Sequence, residues 1–382
     1  MTSSESEQTQ SSSHGLQTAP NTVHETLRLL FFTELDGAEL LELLQKPRVL
    51  EILSRQRMGL AIALYDFNPD RIAAIRLLNA YNIYLVVWLA LTPSEGLWYN
   101  LQNYPQAVEH FRAFRAWADE HNLRFQAIGL DIEPPLDVLT SHENRSLTRW
   151  FKILWNAREN VLYPAAYAAY SDLVTEAHQA NYEVHAYQLP LLADDRRAGT
   201  SFLQRALDVV EIPADLEIFS CYSSAPISRF GNDLGGALIA SYGSDADGVA
   251  VGTVQSTSDQ LADDSLPPLS WPTLKRDLLL AARDLDTIYI SSLEGVVERG
   301  WLARIAAIDW NEPAKPLLRP RIAIALIRVA LFMILLFMRF GRSMLAWSGW
   351  LVALLLFIHH MRGRWRQRRS QAAGDDRASP FE

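Results

Sequence analysis

The sequence predicts an α/β chain: a (β/α)8 barrel of the TIM type over residues 23–312, followed by a C-terminal two-helix transmembrane hairpin. Three observations predict it. Eight short apolar runs alternate with amphipathic segments between residues 28 and 310. Two longer runs near the end are apolar on every face, unlike any helix upstream. Basic residues gather around those two runs, whereas the rest of the chain is acidic.

The apolar runs are RLLFFTEL (28–35), MGLAIALYDF (58–67), IYLVVWLALT (83–92), RFQAIGLDIE (124–133), YEVHAYQLPL (182–191), LEIFSCYSS (216–224), GVAVGTVQS (248–256) and TIYISSLEG (287–295). Near-continuous apolar runs mark strands covered on both faces, as parallel strands are. The segments between them carry helical spacing. In 107–122, Val108, Phe111, Phe114 and Trp117 share one face, and in 274–285 Leu274, Leu278 and Ala281 or Ala282 do the same. Asp70, after a proline, fits a helix start. The segment 146–180 is long and aromatic (Trp150, Trp155, Tyr163, Tyr167, Tyr170), and Pro164 should kink or divide it. The glycine-rich stretch 229–243 gives the weakest helical signal. Eight strands with intervening helices favour a closed barrel over a doubly wound open sheet. Neither G-x-G-x-x-G after the first strand nor GxxxxGK[ST] is present, which lowers the odds of an open nucleotide-binding sheet.

The chain has 382 residues, 49% of them hydrophobic, enough to bury a large core. Residues 1–314 hold 41 acidic and 23 basic side chains; residues 315–382 hold 3 and 12. An acidic main body is a poor partner for nucleic-acid phosphates. One cysteine, Cys221, excludes an internal disulfide and reads as a buried small apolar side chain. Residues 1–22 are polar, lack the basic start and apolar run of a signal peptide, and read as a disordered tail.

The hairpin is assigned to 313–361, with helices at 322–338 and 344–359 joined by RFGRS, and a basic, then polar, tail at 362–382. Each run approaches the roughly 20 residues needed to span a bilayer. Arg328, inside the first, needs a partner or an interface. A buried hairpin or one lying on the membrane surface is the competing reading. Lys315, Arg319 and Arg321 precede the pair, and Arg362, Arg364, Arg366, Arg368 and Arg369 follow it. The positive-inside rule then predicts a multi-pass membrane protein with barrel and C-terminus in the cytoplasm and a lipid bilayer as partner.

Barrel enzymes keep their chemistry at the C-terminal ends of the strands. The stretch AIGLDIEPP (127–135) is the most informative there. Alternation puts Ile128, Leu130 and Ile132 on the helix-facing side, and Ala127, Gly129, Asp131 and Glu133 toward the axis. Pro134 and Pro135 end the strand. An ionised Asp131 beside Glu133 would raise the Glu133 pKa and keep it protonated as a general acid. Exposed loop carboxylates or a metal-ligand pair are the alternatives.

The GLDIE segment resembles the end of the D-x-x-D-x-D-x-E signature of family 18 glycoside hydrolases, the chitinase-like barrels. The resemblance implies Glu133 as the proton donor and Asp131 as the helper that orients the substrate. The family's strand-six tyrosine corresponds to Tyr222. Gly129 and Gln126 stand where the family has its two earlier aspartates, and Ser223 stands where an Asp usually follows the tyrosine, so half of the signature is missing.

Other strand ends offer Glu34 and Asp36, Tyr65 and Asp66, Trp88 with Trp98 and Asn100, Tyr187 and Gln188, Gln255 and Glu294. Of these, Tyr65, Trp88, Trp98, Gln188 and Glu294 are the candidate substrate contacts, since aromatics beside carboxylates suit sugars; barrel packing or loop solvation is the plainer reading of each. Glu183 and His185 share a strand, but no HExxH or clustered histidines suggest a metal, no G-x-S-x-G elbow a nucleophile, and no motif a cofactor. His359 and His360 read as interfacial. Three functions follow: a membrane-anchored glycosidase-like hydrolase, a non-catalytic glycan- or partner-binding barrel, and a hydrolase or lyase of another class, metal-assisted through Asp131, Glu133 and Glu294.

Overall fold

The computed structural model describes residues 27–91, 95–96, 98–135, 157, 160–224, 234–254, 269–316 and 318–375. The tail 1–22, Gln255, Trp150 and Trp155 lie outside them.

The eight strands are β1 Arg28–Thr33, β2 Gly59–Leu64, β3 Leu85–Leu89, β4 Ala127–Asp131, β5 Glu183–Gln188, β6 Leu216–Ser220, β7 Gly248–Gly252 and β8 Thr287–Ser291. Each falls inside one of the eight apolar runs. All neighbours are parallel, and β8 pairs with β1, Arg28 against Thr287 and Phe32 against Ser291, so the sheet closes as a TIM barrel. That closing ladder removes the open-sheet alternative.

Period-two alternation sorts the strand side chains into two cores. Ile128, Leu130 and Ile132 join the large outer core between strands and helices. The inner core holds Phe32, Trp88, Ala127, Tyr187 and Tyr289 among others. Tyr187 and Tyr289 pack edge to face at 5.2 Å, and Phe32 stacks on Tyr289 at 4.9 Å. At the N-terminal end, Glu183 accepts from Tyr84 (2.6 Å) and meets Arg28 at 3.4 Å. His185 above it touches Glu183 and pairs with the Tyr289 hydroxyl.

The helices in chain order are α1 Gly37–Gln45, α2 Val49–Arg55, α3 Pro69–Ala80, α4 Tyr104–Glu120, α5 Leu162–Gln179, α6 Leu192–Ala198, α7 Phe202–Ala206, α8 Leu234–Tyr242, α9 Trp271–Ala281, α10 Leu293–Glu298, α11 Leu302–Ala306 and α12 Leu318–Asp375. Local chemistry sets their starts. Asp36 and Glu39 form a capping box on α1. Asn68 caps α3, with Pro69 at the first helical position; Asp70 lies in the first turn. Pro164 falls in the first turn of α5, where its missing N–H costs nothing, so it opens the helix rather than kinking it. The weak glycine-rich stretch does form α8, whose Gly236 backs onto Asp277.

The C-terminal region departs from the expected hairpin. Residues 318–375 form one helix, and RFGRS continues it instead of reversing. The physical reason is local: one glycine without proline costs about 1 kcal/mol in a helix, too little to force a turn. The first half is also anchored. It packs on α6 and α8, burying Ile324, Arg328, Leu335 and Met338. Arg328 bonds to Asp194 (3.0 Å) and Asp245 (2.7 Å) and lies 3.9 Å over the Tyr242 ring. Arg339, read as turn, donates to the Ala198 carbonyl (2.6 Å). By length and composition Leu318–Gly341 could cross a membrane, but its central charge is held by the barrel. The second half carries exposed Trp347, Trp350, Leu354 and Phe357.

Candidate active site

The C-terminal end of β4 is built to hold two carboxylates on one face. Past Asp131 the chain stays extended because both sides are bonded. Tyr99 donates its N–H to the Asp131 carbonyl (2.9 Å) and accepts from the Glu133 N–H (3.1 Å), while the Ile132 N–H reaches the Tyr187 carbonyl (3.0 Å). Extended backbone through residue 133 keeps Asp131 and Glu133 on the axial side, with Ile132 buried outward. Asp131 is buried, Glu133 half-buried nearer the rim. Neither side chain has a hydrogen-bond or ion-pair partner among the described residues.

The loop supplying Tyr99 is itself rigid. Asn100 accepts from the Gln102 N–H (2.8 Å), and Tyr170 donates to the Asn100 carbonyl (2.9 Å). Asn100 is thus a scaffold residue. Trp98 is half-buried on the same loop, its carbonyl accepting from Asn103 (2.8 Å).

Among the described residues, carboxyls dominate the electrostatics at the mouth. Burial pushes the Asp131 carboxyl well above the ordinary carboxylate range, and the Glu133 and Glu34 charges add to it. Burial raises Glu133 to about 7. This departs from the expected division, in which an ionised Asp131 does the raising: desolvation is the largest cause for both carboxyls. The two titrate as a pair. Tyr222, two residues past β6, packs against the inner core. Its hydroxyl is pushed up by burial, then by Asp131, Glu133 and Glu34, which places all four groups within electrostatic reach.

Glu34 was one polar strand-end residue among many in the sequence; the structure turns it toward the pair, two residues beyond inward Phe32. Its N–H donates to Glu294 (3.3 Å), which is buried in the first turn of α10. Glu294 thus stands beside the cluster.

Several expected contacts sit elsewhere. Trp88 belongs to the inner core, edge-on to Phe32 at 5.1 Å, and fills the barrel rather than lining its rim. Gln188 follows inward Tyr187, so alternation turns it to the outer face, where it is buried beneath the helices. Tyr65 is exposed just beyond β2. Asp66 accepts from buried Arg71 (2.9 Å) and Asp36 caps α1; both serve the scaffold. Cys221 is buried in the outer core, and burial raises its thiol. Ser223 bonds to Asp277 of α9, itself paired with Arg276 (2.6 Å), an arrangement that fixes β6 to the helix layer. Among the described residues, no group of three His, Cys, Asp or Glu side chains is placed to hold a metal ion.

Sequence reasoning named Tyr187 among the strand-end residues but chose its neighbour Gln188 as the contact. Tyr187 pairs with Asp131 in the ladder, and its hydroxyl covers Gly129: a Cβ there would lie 2.5 Å from that oxygen. The tyrosine is almost fully buried, and its hydroxyl faces that of Tyr289. The signal available was Gly129 itself, a glycine mid-strand.

No family model and no curated protein matches the chain. Among solved structures it is similar to a 3-keto-D-glucoside 4-epimerase from E. coli, at 13% identity and TM-score 0.38, covering 74% of this chain and 100% of that one. A xylose isomerase domain protein from Planctomyces limnophilus matches at 11% identity and TM-score 0.39, covering 74% and 95%. Saccharomyces cerevisiae Gas2p, solved with laminaritetraose and laminaripentaose, matches at 10% identity and TM-score 0.39, covering 75% and 64%.

Proposed function

We propose that the barrel is a glycosidase-like hydrolase in which Glu133 donates the proton to the leaving glycosidic oxygen. The observation that carries this reading is the pair of carboxylates on one face of β4, without hydrogen-bond or ion-pair partners among the described residues, with Glu133 near the rim at a pKa of about 7. A carboxyl that keeps its proton near neutrality and faces solvent suits general acid work. Asp131, deeper on the same face, is the helper, and Tyr222, held neutral, is a hydrogen-bond donor to the reacting sugar. Half-buried Trp98 and exposed Tyr65 offer ring faces to a sugar.

The reading includes membrane attachment through α12. Residues 343–358 hold no charged side chain, and arginines follow at 362, 364, 366, 368 and 369. Apolar length with a basic flank suits a bilayer bearing anionic headgroups.

Turnover of a panel of aryl glycosides by full-length protein in detergent, with and without Glu133→Gln, tests the assignment. The variant should bind sugar but lose about 100-fold or more in kcat. Unchanged turnover refutes Glu133 as the acid. Sugar binding without turnover in either protein leaves a non-catalytic receptor.

A further inference from the structure

The first half of α12 has two faces with opposite surroundings. One is packed on the barrel through Ile324, Arg328, Leu335 and Met338. The other presents Ile322, Leu326, Val329, Met333 and Phe340, each between 46% and 65% exposed. A contiguous apolar stripe of this kind marks an interaction surface.

The period of the stripe points to its partner. Written as heptads, Leu326, Met333, Phe340, Trp347, Leu354 and Met361 fall at position a. Ile322, Val329, Leu336, Ser343, Trp350 and Phe357 fall at d, and Ser343 is the one polar member of the two sets. The arginines at 328, 339 and 342 occupy other positions. The four barrel contacts fall at c and f, on the side of a helix that points away from an a/d seam. One helix can therefore hold its barrel and a second helix at once.

A bilayer does not account for the stripe. A helix with a folded barrel on one side is not surrounded by acyl chains. Laid flat on a membrane, the unbroken helix would leave part of its second half in water, although that half exposes Trp347, Trp350, Leu351, Val352 and Leu355 around its circumference. With the second half crossing the bilayer, the first half continues out of the hydrocarbon core, where its stripe faces water.

We propose that α12 pairs with α12 of a second copy along this seam, giving a parallel two-helix stalk with a barrel on each outer side. The proposal rests on the membrane attachment above, which holds the copies side by side in one orientation. From Ile322 to Met361 the seam covers on the order of 1,000 Å² per chain, above the roughly 800 Å² per partner of a stable interface. Outside the core the pairing is driven by removing apolar surface from water.

Disulfide formation between copies of the full-length protein in phosphatidylcholine vesicles tests this. Native Cys221 is buried and is left in place. Leu326→Cys and Val329→Cys put a thiol on the seam; Ile327→Cys and Ile334→Cys put one on exposed apolar positions beside it. On mild oxidation the seam variants should give about fivefold or more disulfide-linked dimer than the other two, since a disulfide needs Cβ atoms about 4 Å apart. All four positions are exposed, so the reduced variants should unfold at the parent's Tm, which separates a seam effect from misfolding. Equal yields at the four positions overturn the pairing. So does quenching of a fluorophore attached through Val329→Cys by brominated acyl chains, which puts the stripe in lipid. In both cases flotation of the protein with the vesicles leaves the membrane attachment standing. Seam cross-linking in protein that does not float keeps the pairing and removes the attachment, and protein that neither floats nor cross-links removes both.

Discussion

Replacing Glu133 by glutamine should make the fold less sensitive to alkali. In the folded chain this carboxyl titrates at about 7 instead of 4.5, because burial disfavours its charged form. A raised carboxyl pKa means that the folded state holds the proton more tightly than the unfolded state. The associated stability is complete below pH 4.5 and is lost as pH rises to 7. At about 1.4 kcal/mol per pH unit, the full loss is at most about 3 kcal/mol, and solvent reaching the half-buried rim reduces it to about 1–2. Glutamine does not titrate, so the variant escapes that loss. Asp131 remains in both proteins, and without the Glu133 charge its own pKa is raised less, which moves Tm in the same direction. Calorimetric scans of the full-length protein should show similar Tm values at pH 4.5. At pH 8 the variant should be ahead by about 2–8 °C, using about 2–4 °C per kcal/mol for a barrel of this size. Parallel Tm curves across that range would show that the carboxyl is well solvated, and would sink the argument that burial prepares it as an acid.

Arg328→Met should destabilise the protein by about 3–5 kcal/mol, since Asp194 and Asp245 lose the charge that neutralises them; urea unfolding and faster protease cutting within 318–341 would report it, and an unchanged digestion pattern would contradict the docking. Gly129→Ala should cost about 1–3 kcal/mol, because the added methyl meets the Tyr187 ring and hydroxyl at 2.5–2.9 Å; a Tm equal to the parent's would mean that Tyr187 does not fill that space. Asn68→Ala removes the bond to the Arg71 N–H (2.8 Å) and should lower stability by about 1 kcal/mol in a urea titration; no shift would assign the helix start to Pro69 alone.

The strands were legible because burial on both faces leaves a composition that few other elements share, and each apolar run contains its strand. The inward set on β4 was equally legible, since alternation needs only one fixed point. Cross-strand facts were not. That Tyr187 covers Gly129 depends on the β4–β5 register, which no local pattern states. Gln188 looked like a rim residue because it ends an apolar run; its parity, fixed by inward Tyr187, turns it outward. Trp88 looked available to ligand but lies a layer below the rim. Asp36 and Asp66 looked like site carboxylates because a cap and an ion pair use the same residue type as catalysis. The hairpin failed for a related reason. Arg328 finds its partners 134 and 83 residues away in sequence, and a turn inferred from the polar break RFGRS between two apolar runs had no breaker to enforce it.

The unbroken α12 also sets the topology that the proposed membrane attachment would have. Its 58 residues make a rod of about 87 Å, whereas a bilayer's hydrocarbon core is about 30 Å. A rod that pierces the sheet once delivers its two ends to different compartments, whereas a hairpin would return them to the same one. Reporter domains fused before residue 27 and after residue 382 would then answer oppositely to a membrane-impermeant label.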